Sequence, residues 1–257
     1  MSALRTWLSP RKGRIFMPFS VIGDPDAATT LAVAGAYAEA GADVLEFGFP
    51  FSDPPADGPV IQAADQRALA AGMTPPAAFG VLDAVRARHG LPVVLLMYYN
   101  LMLQYGLDAF YARAAAAGVQ GVLVADLPLE HADAAAAAAR RHGIAPVFLA
   151  TFLTPADRLA RLAAAGDGFV YVVAQVGVTG ERGALDAELP DLLGRLRALT
   201  DLPLLAGFGI ADGDQARAAL DAGADGVIVG SALVRQLAAG GVPAAAALAA
   251  RIRAATL

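Results

Sequence analysis

Short apolar runs recur along the chain at fairly even spacing, each bounded by turn-forming residues, and eight of them have the length and composition of strands. They cover 15–19, 44–47, 93–98, 121–125, 146–150, 169–174, 203–206 and 226–229. Between them lie alanine-rich segments with helical length and period, at 29–40, 76–89, 108–117, 129–142, 155–165, 189–199 and 213–222. Strand and helix therefore alternate throughout. The junctions support the count, because they come in two recurring styles. One is Ala-Gly followed by a strand, as in Ala40-Gly41-Ala42-Asp43-Val44 and Ala222-Gly223-Ala224-Asp225-Gly226. The other sets Pro beside the strand start, as in Leu91-Pro92-Val93 and Leu202-Pro203-Leu204. Glycine past the last helical turn supplies the left-handed cap that sends the chain back toward the next strand. Eight β/α units in 257 residues predict an α/β protein, a (β/α)8 TIM barrel over 1–257 as one domain with a short N-terminal helix. A doubly wound open sheet fits less well, since no G-x-G-x-x-G follows any strand.

In such a barrel the chemistry belongs where strands end and βα loops begin. The second strand carries an acid there: Val44-Leu45-Glu46-Phe47 runs into Gly48-Phe49-Pro50-Phe51-Ser52-Asp53-Pro54-Pro55-Ala56-Asp57-Gly58-Pro59. Burying a carboxylate in an apolar run costs several kcal/mol unless it is paired or protonated. Glu46 shares strand parity with Val44, so the two face one side while Leu45 and Phe47 face the other. An inward acid near a strand's carboxyl end suits acid–base catalysis, and a buried ion pair is the alternative. Asp57 in Ala-Asp-Gly-Pro and Asp53 before two prolines read first as turn formers. Asp126 closes the fourth predicted strand, and Tyr98, Tyr99 and Asn100 the third. Tyr171 and Phe19 lie within strands, as pocket lining or as ordinary core.

The loops after the seventh and eighth strands, where these barrels commonly hold phosphate, read Gly207-Phe208-Gly209-Ile210 and Gly230-Ser231-Ala232. Each sets main-chain N–H groups at the entry to a helix, which holds a dianion without a basic side chain. The loop after the sixth, Gly177-Val178-Thr179-Gly180, suits a lid.

Composition narrows the partners. The net charge of −5 disfavours nucleic acid, which calls for a basic face. There is no cysteine, and the three histidines are not spaced as metal ligands, so no metal site is expected. No stretch approaches the ~20 uninterrupted apolar residues of a spanning helix. The N-terminus lacks the continuous apolar region of a signal peptide, and a cytoplasmic protein is expected. The residues alone thus reach an acid–base enzyme for a small, phosphorylated, partly apolar substrate. A phosphosugar isomerase with acids on strands one and five is disfavoured, because 15–19 and 146–150 contain none.

The stretch from Leu45 to Pro59 closely resembles the signature of the tryptophan synthase α-subunit family. Gly23-Asp24-Pro25, Leu96-Met97-Tyr98-Tyr99-Asn100, Ala125-Asp126-Leu127-Pro128, Gly177-Val178-Thr179-Gly180 and the two glycine loops extend the resemblance along the chain. It implies a lyase that cleaves indole-3-glycerol phosphate to indole and glyceraldehyde 3-phosphate. Glu46 would be the general acid and base, and Asp57 would bond the indole N–H. Phe19, Leu96, Tyr98 and Tyr171 would line the indole pocket. Gly180, Gly209, Gly230 and Ser231 would hold the phosphate, with Thr179 on the closing loop. The resemblance also implies a β-subunit partner in an α2β2 assembly, met by Pro50, Phe51, Asp53, Asn100, Asp126 and Pro128. Pyridoxal phosphate would belong to that partner, and this chain would need no cofactor. A free-standing lyase that releases indole is the alternative. The chain departs from the family pattern at Ala174-Gln175, at Thr151-Phe152 and at Pro55.

Overall fold

The computed structural model describes residues 1–174 and 187–257. Its strands are β1 (Ile15–Val21), β2 (Leu45–Gly48), β3 (Val93–Met97), β4 (Val119–Val124), β5 (Ala145–Ala150), β6 (Val170–Val173), β7 (Leu204–Gly207) and β8 (Gly226–Val229). They pair in parallel and in chain order, and β1 pairs with β8 to close the barrel. The expected (β/α)8 architecture is therefore present.

Among the described residues the helices are α1 (Ala3–Leu8), α2 (Ala27–Glu39), α3 (Pro59–Ala70), α4 (Pro75–Arg88), α5 (Tyr99–Tyr105), α6 (Leu107–Ala116), α7 (Asp133–Arg141), α8 (Ala156–Ala165), α9 (Leu189–Arg197), α10 (Gly213–Asp221) and α11 (Ser231–Thr256). Of these, α1 is the expected short N-terminal helix, and α3, α5 and α11 go beyond it and the seven periodic segments. The start of α3 hides in the Pro/Gly cluster after β2: Gly58 is its N-cap and Pro59 its first residue, where a missing N–H costs nothing. The segment 129–142 divides into a 3-10 turn, Leu129–His131, and α7. By length and composition α11 is apolar enough to cross a membrane. It is broken at Gly241 (φ 67°), with Pro243 just beyond, and packs on β1, α2 and α10.

Strand alternation splits the core in two. Val44, Val94, Leu96, Leu123, Val147, Leu205 and Ile228 fill the barrel, while Leu45, Phe47, Leu95, Val122 and Leu204 meet the surrounding helices. The amino-terminal mouth is plugged by α1. A Cβ on Gly121 or Gly168 would stand 2.7 or 2.9 Å from a Leu4 methyl, so both glycines make room for it. The acids of the repeated junctions also work at this end. Asp43 accepts from the Phe16 N–H (3.0 Å) and pairs with Arg253 (3.1 Å). Asp225 accepts from the Leu204 N–H (2.9 Å) and pairs with Arg197 (2.5 Å). With that mouth sealed and stapled, chemistry is left to the carboxyl rim.

Candidate active site

Glu46 pairs in register with Phe19 on β1 and Val94 on β3, both members of the barrel interior. Its side chain is therefore inward, 1% exposed, and neither carboxylate oxygen has a hydrogen-bond partner among the described residues. The alternative of a buried ion pair has no support among those residues. Burial, reinforced by nearby Asp57, pushes the Glu46 carboxyl up to about 8. At neutral pH it holds its proton.

Asp57 arrives from the loop between β2 and α3. The turn it occupies is closed by main chain, its N–H donating to the Pro54 carbonyl (3.3 Å). The side chain is thus spared for another contact. The Tyr98 hydroxyl donates to Asp57 Oδ2 (2.7 Å) and accepts from the Ala56 N–H (3.2 Å). The Phe51 ring stacks on Tyr98, centroids 5.2 Å apart and planes 27° apart. Burial raises the Asp57 carboxyl, and the tyrosine bond opposes that by favouring the anion. Both acids are raised, Glu46 with no hydrogen bond opposing it and Asp57 against the bond from Tyr98.

Tyr171 on β6 is buried, and its phenol is held far above its ordinary range by burial and then by the charges of Glu46 and Asp57. The ring lies so close over Gly207 that a Cβ there would stand 2.5 Å from it. Phe208, in the left-handed region (φ 62°), packs against Tyr171 at 5.5 Å. Phe19 covers Gly48 in the same manner, its ring 2.7 Å from where a Cβ on that glycine would stand, and Leu96 pairs in register with Gly48. Phe19, Leu96 and Tyr171, each under a tenth exposed, thus belong to the interior cluster at Glu46, and Phe208 packs against it.

Gly209 (φ 91°) follows Phe208 at the end of β7. Gly230 is the N-cap of α11 and Ser231 its first residue, directly after β8. All three lie at the carboxyl rim, where the first-turn N–H groups of α11 have no helical acceptor of their own. Thr179, Gly180 and Gln175 lie outside the described residues. Of the expected partner-facing positions, Asp53, Asp126 and Pro128 are on rim loops and exposed, Asn100 is exposed in the first turn of α5, Phe51 is half-buried and Pro50 is buried. Asp126 also accepts from the Tyr99 N–H (2.7 Å), so it fixes the start of α5. After β5, the departure at Thr151 closes its own turn: Thr154 Oγ1 accepts from the Thr151 N–H (3.1 Å), and Thr151 Oγ1 from the Leu153 N–H (3.1 Å).

Sequence reading did not single out Phe208 or Asp65. Phe208 stands inside a glycine motif, and nothing in the order of residues shows the ring it packs against. Asp65 is 3% exposed in the apolar stripe Ile61, Ala64, Ala68 of a helix that the periodicity does not reveal.

A barrel plugged at one mouth, with an inward protonated acid beside a second acid held by a tyrosine, defines an acid–base enzyme of the (β/α)8 class. Similarity to known proteins narrows the class. The family model described as tryptophan synthase alpha chain matches residues 7–254, and the chain belongs to that family. The tryptophan synthase alpha chain of Methanoregula boonei is 48% identical over 225 residues, 87% of this chain and 85% of that one. That of a Synechococcus strain is 44% identical over 246 residues, 95% and 91% of the two chains. A chain of Mycobacterium tuberculosis tryptophan synthase superposes with a TM-score of 0.91 at 34% identity, covering 99% and 98%. One from the tryptophan synthase α2β2 complex of Pyrococcus furiosus gives 0.86 at 38% identity, covering 94% and 96%.

Proposed function

We propose that this chain carries out the α reaction of tryptophan synthase, cleaving indole-3-glycerol phosphate to indole and glyceraldehyde 3-phosphate in L-tryptophan biosynthesis. The observation that carries the reading is the inward Glu46 carboxyl, unpartnered among the described residues and pushed up to about 8. Retro-aldol cleavage needs a proton on indole C3, so that the ring can take the electron pair of the breaking bond. Glu46 delivers that proton and becomes a carboxylate. The ring nitrogen is then cationic, and the Asp57 carboxylate, which the Tyr98 hydroxyl donates to, accepts its N–H. Glu46 next removes the hydroxyl proton of the neighbouring side-chain carbon, whose oxygen becomes the aldehyde as the C–C bond breaks. One carboxyl gives a proton and takes one back, so the cycle closes on this chain's own acids and calls for no cofactor. A group with both tasks works best with a pKa near the working pH, and each such transfer contributes roughly 10²–10⁴-fold.

Phe19, Leu96 and Tyr171 enclose the indole, with Tyr98 at its edge. Main-chain groups at Gly209, Gly230 and Ser231 bind the phosphate, together with Gly180 and Thr179. The β subunit docks on Pro50, Phe51, Asp53, Asn100, Asp126 and Pro128, completing an α2β2 assembly in the cytoplasm. Pyridoxal phosphate belongs to that partner, which receives the indole. Residues 1–257 act as one barrel unit. The test is indole release from indole-3-glycerol phosphate by the purified chain, with and without β subunit. Turnover that rises on adding the β subunit is the expected result. A rate indifferent to it would assign a free-standing lyase, and no indole in either condition would refute the proposal.

A further inference from the structure

Two of the docking positions, Pro50 and Phe51, do not stand on open surface: the first is buried and the second half-buried. Both line a pocket of about 160 Å³ at the carboxyl rim. Residues 49–52 of the β2–α3 loop form part of its wall, and Leu69 of α3, Met73 and Pro75 around the start of α4, and Leu101 of α5 complete it. Those four side chains are each partly exposed, so the pocket opens outward. Its two hydroxyls are already engaged. Ser52 Oγ donates to Asp53 Oδ2, and Thr74 caps α4 by accepting from the Ala77 N–H (3.5 Å). What remains for an occupant is apolar wall. Met73, a side chain flexible enough to fill such a gap, is turned over Gly23 instead, its methyl 2.6 Å from where a Cβ on that glycine would stand.

We propose that this pocket is a socket for one apolar side chain of the β subunit, about the size of a phenyl ring. The inference rests on the reading above that the β subunit docks on Pro50 and Phe51. Size sets the occupant, because a cavity of roughly 150 Å³ with aliphatic and aromatic walls holds one benzene ring. Place sets its source. Pro50 and Phe51 are wall residues, Asp53 follows the wall residue Ser52, and Asn100 precedes the wall residue Leu101. Four of the six docking positions therefore lie in the wall or directly beside it. Leu103, three residues beyond Asn100 on α5 and 50% exposed, extends the apolar surface next to the socket. An apolar anchor seated in a pocket and ringed by contacts that exclude water is where binding energy concentrates, and the exposed Asp53 and Asn100 supply such a rim. The socket also accounts for a buried docking position: a partner side chain entering it meets Pro50 without any movement of the loop. Because the Phe51 ring stacks on Tyr98, the occupant packs on the same loop that carries Asp57.

The experiment measures the Kd of the full chain for the β subunit by titration calorimetry, with wild type, Leu101→Trp, Leu69→Glu and Leu101→Met, and repeats the wild-type titration in buffer saturated with benzene. Leu101→Trp fills the socket and Leu69→Glu sets a charge in it. Each should weaken β binding at least about tenfold, while the melting temperature and the indole release of the free chain stay near wild type. Leu101→Met keeps the volume and should bind within about twofold of wild type. Benzene should weaken wild-type binding by competing for the socket. Wild-type affinity in either Leu101→Trp or Leu69→Glu would overturn the proposal, and so would a titration indifferent to benzene, which decides the matter even where neither variant folds. Self-association of the free wild type that Leu101→Trp abolishes would overturn it as well, by making a second copy of this chain the occupant. Wild type that binds no β subunit removes the partner reading and this inference together, whereas β-binding wild type with indifferent variants removes the inference alone.

Discussion

The Tyr98 hydroxyl donates to Asp57 Oδ2 at 2.7 Å and at the same time accepts from the Ala56 N–H, so one phenol fixes both the loop and its acid. A donor on the ionised form favours that form, and Tyr98 is what opposes the rise that burial imposes on Asp57. Tyr98→Phe should therefore move the acidic limb of kcat/KM to higher pH and lower kcat by about tenfold, on the scale of a hydrogen bond to a charged group. The pH profile of the variant checks it. An unshifted limb would mean that the Tyr98 bond does not set the titration of Asp57.

Glu46 works in the opposite sense. Its folded-state carboxyl lies at about 8 against an ordinary 4.5, so the folded protein retains a proton that the unfolded chain releases. Stability from this group is fully present below the ordinary value and is lost as pH rises through about 8. Glu46→Gln should remove that slope and leave the variant more stable than wild type by a few kcal/mol at pH 9, with little difference at pH 4. Denaturant titrations at the two pH values measure it. In the active enzyme the same titration should appear as an alkaline limb of kcat/KM near 8, where the general acid is lost.

The pocket wall depends on a missing side chain. A Cβ at Gly207 would stand 2.5 Å from the Tyr171 ring, nearer than real contacts come, so Gly207→Ala must displace the ring. Overpacking of this kind costs about 1–3 kcal/mol. The expected outcome is a folded protein with KM for indole-3-glycerol phosphate raised at least about fivefold, read from steady-state kinetics. An unchanged KM would separate Tyr171 from the substrate pocket.

How much of this could be read before the fold was known differs from residue to residue. Strand parity alone turned Glu46 inward, because a period of two leaves no choice once the strand is located. The barrel followed from the same alternation and from the repeated Ala-Gly and Pro junctions. Asp57 was different. Its own neighbours spell a turn, and the contact that gives its side chain another role comes from Tyr98, 41 residues away at the end of the next strand. Asp65 was out of reach for a related reason: α3 begins on Gly58-Pro59, inside a cluster that spells a loop, so the stripe that exposes a buried acid had no helix to belong to. Local patterns carried local geometry. Contacts between loop and barrel needed the closed ring.

The most direct test of the central claim is a comparison of wild type and Glu46→Gln in indole release from indole-3-glycerol phosphate, with substrate binding followed in parallel. Glutamine keeps the shape of the protonated acid but can neither give nor recover the proton. The account predicts indole from the wild type and a loss of at least about 10²-fold in kcat for the variant, with binding of the substrate retained. A variant that cleaves at the wild-type rate would contradict it.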